Sequence, residues 1–317
     1  MKRPARRLLS LAAFCCLLSA AVPLAAADFV GDLIRGFADS EIVFSRSTSN
    51  VPFIPLAYAN FSLYSDTRVR RPDESSLEYD LATVSQGALL PLLVSPRDAL
   101  LVGEWTAVSR FDAADAGADS FNAMSAGLAV GWLRQIDDHR QFGTFVMPLA
   151  HRADLENSAW SYEALGGAFG RHERDERLWW VYGFYFDVGP GEDIYLPYLG
   201  ASWEFDDELT LSAILPWPAI LYAPDNDTLW RFGAAPSGAS WTLDSEQNEI
   251  SFSLDNWQLG LTAEHRVSGN FWLAFEAGVA GLRSLRLEDG EWRSAKFDVD
   301  ESAYLRIAFN FRPELPR

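Results

Sequence analysis

Apolar residues alternate with small or polar residues over positions 256–282, and this two-residue period predicts a β-hairpin. The apolar set comprises Trp257, Leu259, Leu261, Ala263, Phe271, Leu273, Phe275, Ala277 and Val279, and the other set comprises Gln258, Gly260, Thr262, Glu264, Ala274, Glu276, Gly278 and Ala280. The two apolar sets share a face only if the turn has an odd length. We therefore predict a three-residue turn at 268–270 that ends in a left-handed Asn270 and pairs Val267 with Phe271, Ala263 with Phe275 and Thr262 with Glu276.

Similar segments of about ten residues follow one another from Leu56 to Phe311. Short, turn-like breaks lie at residues 95–98, 136–139, 172–176, 206–208, 224–227 and 268–270, and more polar, usually longer breaks lie at residues 65–76, 111–120, 152–158, 189–193, 244–249 and 288–299. The two kinds alternate, as in an up-and-down barrel with short periplasmic turns and longer outer loops. With Pro216-Trp217-Pro218 as a tight outer connection, the sequence predicts an all-β, antiparallel transmembrane β-barrel of 14 strands, with 12 as the alternative.

The face opposite the apolar one carries small and scattered polar residues, where a soluble sheet would more often carry Lys, Glu and Thr. From Trp257 to Val267 the strand would measure about 33 Å, or about 25 Å of height at a tilt of about 40°. That height equals the apolar band of an outer-membrane barrel, so we predict that the apolar face contacts lipid. The expected lumen residues are Glu104, Glu204, Glu264, Glu276 and Arg306, and the expected aromatic girdle is Trp132, Trp180, Trp203, Trp257, Phe271, Phe309 and Phe311.

The beginning of the chain has the features of a secretory signal peptide. Basic residues are followed by the apolar residues 8–24 and then by Ala25-Ala26-Ala27, a small-x-small cleavage pattern. We predict a signal peptide at 1–27, an N-terminal arm or short first strand at 28–55, the barrel at 56–312 and a tail at 313–317. Cys15 and Cys16 lie in the predicted signal peptide, so the mature chain would contain no disulfide and no thiolate metal site.

Composition and charge limit the classes of partner that the protein is expected to have. The chain has a formal net charge of -18, which becomes -22 when the four basic residues of the predicted signal peptide are removed. This acidity argues against nucleic acid as a partner. Aromatic residues make up 14% of the chain, with 12 Trp, and no apolar run after residue 27 approaches the roughly 18 residues of a spanning helix. We expect outer-membrane lipid and lipopolysaccharide as surroundings in the envelope of a Gram-negative cell.

The last predicted strand resembles the assembly signal of outer-membrane proteins. Ala303, Leu305, Ile307, Phe309 and Phe311 alternate with polar or small residues and end in an aromatic-x-aromatic pattern. The resemblance implies barrel-insertion machinery as a partner during assembly. The chain departs from the signal in two ways, since Arg306 replaces the usual Gly and the chain continues through residues 312–317.

A second resemblance covers residues 197–222. Pro197-x-x-Gly200-x-x-Trp203, then Asp206-Asp207-Glu208-Leu209, then Leu215-Pro216-Trp217-Pro218 and Tyr222 resemble a bacterial family of outer-membrane β-barrel proteins classed as a domain of unknown function. The resemblance implies location and fold, and it brings no catalytic residues.

Candidate chemistry is sparse. None of the four histidines lies in a metal-binding motif, and the pairs Asp137-Asp138 and Asp206-Asp207 fit turn geometry. No cofactor or metal site is therefore predicted. His151, which Ser158 and Ser161 follow, is the one candidate for a Ser-His hydrolase, and no GxSxG motif supports it.

Three functions remain open from the sequence. The first is a non-enzymatic, porin-like barrel that acts as a passive pore or as a binding or structural barrel for an unidentified small solute. The second is a membrane-embedded lipid hydrolase, and the third is a soluble periplasmic β-protein. If the lumen holds water, its charged residues would set an ionic preference.

Overall fold

The computed structural model describes residues 31–32, 35–36, 39–43, 46, 48–70, 76–113, 120–154, 158–189, 193–245, 248–289 and 293–313. The predicted signal peptide and residues 314–317 lie outside these ranges. The strands are β1 (Ala57–Arg70), β2 (Ser76–Ser95), β3 (Asp98–Ala113), β4 (Phe121–Gln135), β5 (Arg140–Ala153), β6 (Ser161–Asp175), β7 (Leu178–Val188), β8 (Ile194–Glu204), β9 (Leu209–Ile214), β10 (Ala219–Asp225), β11 (Thr228–Ser245), β12 (Asn248–Ser268), β13 (Phe271–Asp289), β14 (Arg293–Val299) and β15 (Ser302–Phe311). No helix in the described ranges is long and apolar enough to cross a membrane.

These strands form one closed antiparallel barrel. Each strand up to β13 pairs with the next along the chain, and β15 pairs with β1 from Ala57↔Phe311 to Tyr64↔Tyr304, which closes the wall. The strands β14 and β15 both pair with β13 and with β1, so they occupy a single place in the wall with an interruption at residues 300–301. The barrel therefore has 14 strands, as predicted, and the alternative of 12 is wrong.

The two ends of the barrel differ as the breaks in the sequence predict. Tight turns join β2 to β3, β4 to β5, β6 to β7, β8 to β9, β10 to β11 and β12 to β13, and we call this the short-turn end. At the other end, Pro216-Trp217-Pro218 lies in the connection between β9 and β10, which confirms that this segment is a turn rather than a kink. The short strands β9 and β10 make the wall lower at this point.

The hairpin of β12 and β13 has the predicted outer and inner faces. Leu259 and Leu261 are 49% and 47% exposed on the outside of the wall, whereas Gln258 and Thr262 are each 6% exposed on the inside. Thr262 pairs with Glu276, as predicted. The exposed apolar face of a closed wall points outward, because inward side chains lie on the concave face and shield their neighbours from solvent.

The turn of this hairpin differs from the prediction. Ser268 pairs with Phe271, so Gly269 and Asn270 form a two-residue turn, and the register shifts between Arg266 and Ser268. Val267 is therefore the extra residue of a β-bulge. A two-residue turn alone would place the two apolar sets on opposite faces, and the bulge brings them onto the same face. Gly269, with φ of 51°, takes the left-handed conformation that we assigned to Asn270.

Two of the outer loops are shorter than predicted. Pairing of β11 with β12 continues without a shift to Ser245↔Asn248, and β13 with β14 continues to Asp289↔Arg293. The polar residues at 244–249 and 288–299 are thus largely part of strands.

Candidate functional site

Four of the five predicted lumen residues lie on the inward face of the wall. Glu204 and Glu264 are 2% and 8% exposed, and Glu276 pairs with inward Thr262 and with Arg306. Glu104 lies on the opposite face, which corrects the prediction. It pairs with Leu128, which is 66% exposed on the outside, while the neighbouring Gly103 faces the lumen. The prediction failed because both faces of β3 contain large apolar residues, so the alternation does not identify the inner face. In the structure the large Trp105 lies on the inner face.

Glu276 and Arg306 belong to a hydrogen-bonded network on the inner wall of β1, β12, β13 and β15. Arg306 Nη1 lies 3.2 Å from Glu276 Oε2, and Arg306 Nη2 donates to Gln258 Oε1 at 3.0 Å. Tyr304 donates its hydroxyl to Glu276 Oε1 at 2.5 Å, and Gln258 Nε2 donates to the Tyr64 hydroxyl at 2.5 Å. The network joins the strands on both sides of the closure and pairs the charge of Glu276 with that of Arg306.

Glu264 holds a second cluster nearer the short-turn end. Its carboxylate accepts from Arg312 Nη2 at 2.9 Å, from Arg312 Nε at 3.1 Å and from Asn310 Nδ2 at 3.2 Å. Arg312 Nη1 also donates to the carbonyl oxygen of Phe53 at 2.5 Å. Glu264 therefore fixes an arginine that binds the chain before β1.

That part of the chain, residues 41–43, 46 and 48–56, is here called the N-terminal segment. It runs along the inside of the short-turn end, where its backbone N–H groups donate to Pro96 O, Asp207 O and Phe311 O at 2.8 to 2.9 Å. Its described residues contain no strand, so it is an arm and the first strand begins at Ala57.

Apolar contacts place the N-terminal segment inside the wall. Ile42 is 6% exposed and packs against the inward residues Ala99 and Leu133. Farther along, Val51 packs against the cluster of Ala223, Leu229 and Trp272. The contacts extend from β3 to β13, so the segment covers a large part of the lumen at this end.

The segment is also fixed by a buried ion pair. Arg46 Nη1 lies 3.1 Å from Glu204 Oε1, and both side chains are less than a tenth exposed. Thr48 Oγ1 donates to the other carboxylate oxygen of Glu204 at 2.7 Å, and Arg46 Nη2 donates to Ser202 O at 2.6 Å. Burial lowers the pKa of the Arg46 guanidinium from its ordinary value, and the neighbouring Glu204 carboxylate opposes this shift.

Trp179 lies between two arginines in the same region. The guanidinium carbons of Arg46 and Arg171 lie 4.1 and 3.9 Å from the centre of its ring, within the range of cation–π attraction. Arg171 Nη2 donates to Val43 O at 2.7 Å, and Gln141 Nε2 donates to the same oxygen at 3.1 Å. Gln141, Arg171 and Trp179 were not predicted as site residues. Their partners in the N-terminal segment precede them by about a hundred residues or more, so no local sequence pattern indicates these contacts.

Between the N-terminal segment and the outer end, the inner wall of β2 to β8 is mainly apolar. The large inward side chains there include Leu89, Leu101, Trp105, Phe145, Met147, Leu165, Tyr185 and Tyr198, and each is partly exposed to the lumen. Trp217 lies 6.1 and 6.2 Å, between ring centres, from Tyr185 and Tyr198. The opposite wall carries Gln258, Thr262, Glu276 and Arg306, so the lumen has an apolar half and a polar half.

A polar cluster lies near the outer end of the apolar half. His151 is 2% exposed; its Nδ1 lies 2.8 Å from Ser125 Oγ and its Nε2 lies 3.4 Å from Glu163 Oε2. Ser161 instead contacts the backbone oxygen of His151, and Ser158 accepts from the N–H of Ala153. The serine nearest the imidazole is thus Ser125, because β4 and β5 pair Ser125 directly with His151.

No group of three or more potential metal ligands occurs among the residues that the structure describes. The acidic turns instead bind their own backbone. Asp137 accepts from the N–H groups of His139 and Arg140 at 3.0 and 2.9 Å, and the Arg140 side chain lowers the pKa of Asp137 to about 2.

Aromatic side chains surround the outer surface. Near the short-turn end the exposed members are Trp132, Trp180, Trp203, Trp230, Phe271 and Phe309, and Tyr162, Tyr195 and Trp257 lie farther up. Phe311 is half-buried, with its ring 5.5 Å from that of Phe271. A closed wall with an apolar exterior and aromatic residues towards both ends is the form in which strands cross a bilayer. The protein is an outer-membrane β-barrel.

No family model and no curated protein matches the chain, so the resemblance over residues 197–222 stays a prediction. Solved outer-membrane barrels are similar in fold. A Pseudomonas aeruginosa FadL homologue shares 9% identity at a TM-score of 0.43, over 87% of this chain and 97% of that one. The P. putida toluene transporter TodX shares 8% at 0.36, over 85% and 94%. The translocator domain of the autotransporter NalP from Neisseria meningitidis shares 9% at 0.30, over 91% and 96%.

Proposed function

We propose that the barrel admits a small, predominantly apolar solute into its lumen and that the N-terminal segment controls its exit at the short-turn end. The partly exposed apolar wall of β2 to β8 is the observation that carries this proposal. A passage for ions would be expected to present charge to water along its length. Here Glu276 pairs with Arg306, Glu264 with Arg312, and Glu204 with Arg46 of the N-terminal segment.

The size of the apolar wall is suited to weak binding. Transfer of about 150 Å² of solute surface from water onto apolar side chains would contribute about 4 kcal/mol. That free energy sets a lower limit of about 1 mM on the dissociation constant, because the freedom that the solute loses on binding opposes it. Such an affinity lets a solute bind and leave, as a passive route requires.

Quenching of tryptophan fluorescence by a brominated aromatic solute would test the proposal in detergent-solubilised protein. Met147→Gln changes an inward residue to a polar one of similar size and is expected to weaken binding about ten-fold. Val146→Thr, its neighbour on the lipid side, is the matched control and is expected to leave binding unchanged. Equal binding by wild type and Met147→Gln, or binding of a sugar as strong as that of the aromatic solute, would refute an apolar site.

The Ser125–His151–Glu163 alignment favours a second candidate, an ester hydrolase that acts on a substrate in the lumen. Nδ1 of His151 would accept the Ser125 proton, and Nε2 faces the Glu163 carboxylate. The groups thus have the order of a Ser-His-acid triad. The two ring nitrogens exchange roles, since Nε2 usually faces the serine and Nδ1 the acid. The site faces the lumen rather than lipid.

A fluorophosphonate probe distinguishes this candidate. Covalent labelling of the folded barrel that Ser125→Ala abolishes and Ser161→Ala retains would support it. Absence of labelling in wild type would remove it and would leave the solute proposal unaffected.

A further inference from the structure

Glu104 is a charged residue on the lipid-facing wall. Its cross-strand neighbours on the same face are Ala88 of β2 and Leu128 of β4, and Val102 follows two residues away along β3. Val102 and Leu128 are 37% and 66% exposed on the outside. An ionisable side chain in such surroundings is costly and marks a functional contact by default.

The position along the strand places Glu104 inside the apolar band. β3 begins at Asp98 beside a short turn, and Glu104 lies six residues farther along. At about 3.3 Å per residue and a tilt of about 40°, this corresponds to about 15 Å of height in a band of about 25 Å. The side chain is therefore too far from either interface to reach water by extending along the wall.

Two further polar residues surround Glu104 on this face. Gln86 pairs with Thr106, and Thr106 is the next outward residue of β3 after Glu104. Ala88 and Ala126 lie beside them, so the polar side chains sit in a shallow area of small residues. Among the described side chains, none of these three polar groups forms a hydrogen bond or an ion pair within the chain.

We propose that this patch, Gln86, Glu104 and Thr106, is the contact surface for a second copy of the barrel within the membrane. The patch contains both a strong acceptor and two donors, the Gln86 amide and the Thr106 hydroxyl. A two-fold axis through it brings Glu104 of each copy against the donors of the other, since the same surface is used twice. The small residues allow the two walls to approach closely, as they do at contacts between membrane helices.

Single-cysteine cross-linking in native outer membranes tests the proposal, because both cysteines of the sequence lie in the predicted signal peptide. Thr106→Cys is expected to give a disulfide-linked dimer of barrels at least ten-fold more abundant than Leu259→Cys, an exposed outward position on β12. Adding Glu104→Leu should lower the dimer at least ten-fold, and adding Glu104→Gln, which both donates and accepts, should largely retain it.

Heat-modifiable gel migration verifies that every variant is a folded barrel. The proposal is overturned if Thr106→Cys gives no more dimer than Leu259→Cys, or if the dimer persists in the Glu104→Leu background. Cross-linking of Thr106→Cys to a different protein would equally overturn it, since the patch would then belong to another partner. None of these outcomes depends on what the lumen binds.

Discussion

Glu204→Gln is expected to release the N-terminal segment from the short-turn end. The substitution keeps the shape of the side chain but removes the charge that pairs with Arg46 at 3.1 Å. Arg46 would remain buried without its counter-charge unless the segment leaves the wall. Glu204 also accepts from Thr48, so one change weakens two contacts of the segment.

The expected magnitude follows from the burial of the pair. The side chains of Arg46 and Glu204 are 6% and 3% exposed. Breaking such a buried pair from one side costs about 3 to 5 kcal/mol. The lower value would shift the equilibrium towards the released segment by about 150-fold.

Glu41→Gln is a matched control on the same segment. Glu41 pairs with Arg97 across the rim, but these side chains are 55% and 47% exposed. Water screens such a pair, so its loss should cost about 0 to 1 kcal/mol. The two variants remove the same charge from contacts that differ in burial.

Thiol labelling reports the release. A cysteine at Ser49, which is 6% exposed, should react slowly in wild type and about a hundred-fold faster with Glu204→Gln, but less than ten-fold faster with Glu41→Gln. Ion conductance in planar bilayers should rise in parallel. Equal labelling rates in the two variants would show that the buried pair does not fix the segment.

Three further predictions concern the wall and its turns. Arg306→Met should lower the free energy of unfolding in lipid vesicles by about 3 kcal/mol, and adding Glu276→Leu should restore most of it; no recovery would contradict a paired role. Gly269→Val should cost about 1 kcal/mol or more in the same assay because of its positive φ, and Gly269→Asn clearly less. The pKa of Asp137 lies below its ordinary 3.8, so its contribution to stability is present above pH of about 3.8 and is lost as the pH falls through about 2. Acid titration of unfolding should lack this component in Asp137→Asn; an identical profile would contradict it.

The alternation of residues determined most of the wall. A strand displays its two faces with a period of two, so Leu259, Leu261, Gln258 and Thr262 could be assigned to their faces without knowledge of their neighbours. The strand count followed from the same local property together with the turns. The prediction failed at Val267, where an inserted residue satisfies the register as well as a longer turn would.

The alternation was ambiguous in β3. Leu101, Trp105 and Ala107 lie on one face while Val102, Glu104 and Val108 lie on the other, so both faces contain large apolar residues. Local sequence gave no reason to turn Glu104 outward. Pairing with β2 and β4 fixed its direction, because a whole sheet shares one inner face.

The sequence by itself therefore determined the class of the protein, the number of strands and the faces of those with a regular pattern. Only the tertiary structure decided what the lumen contains. Arg46 meets Glu204 and His151 meets Ser125 across separations of 158 and 26 residues. Such contacts depend on closure of the barrel, which sets the register and the diameter for all strands at once. No local pattern of residues therefore predicts them.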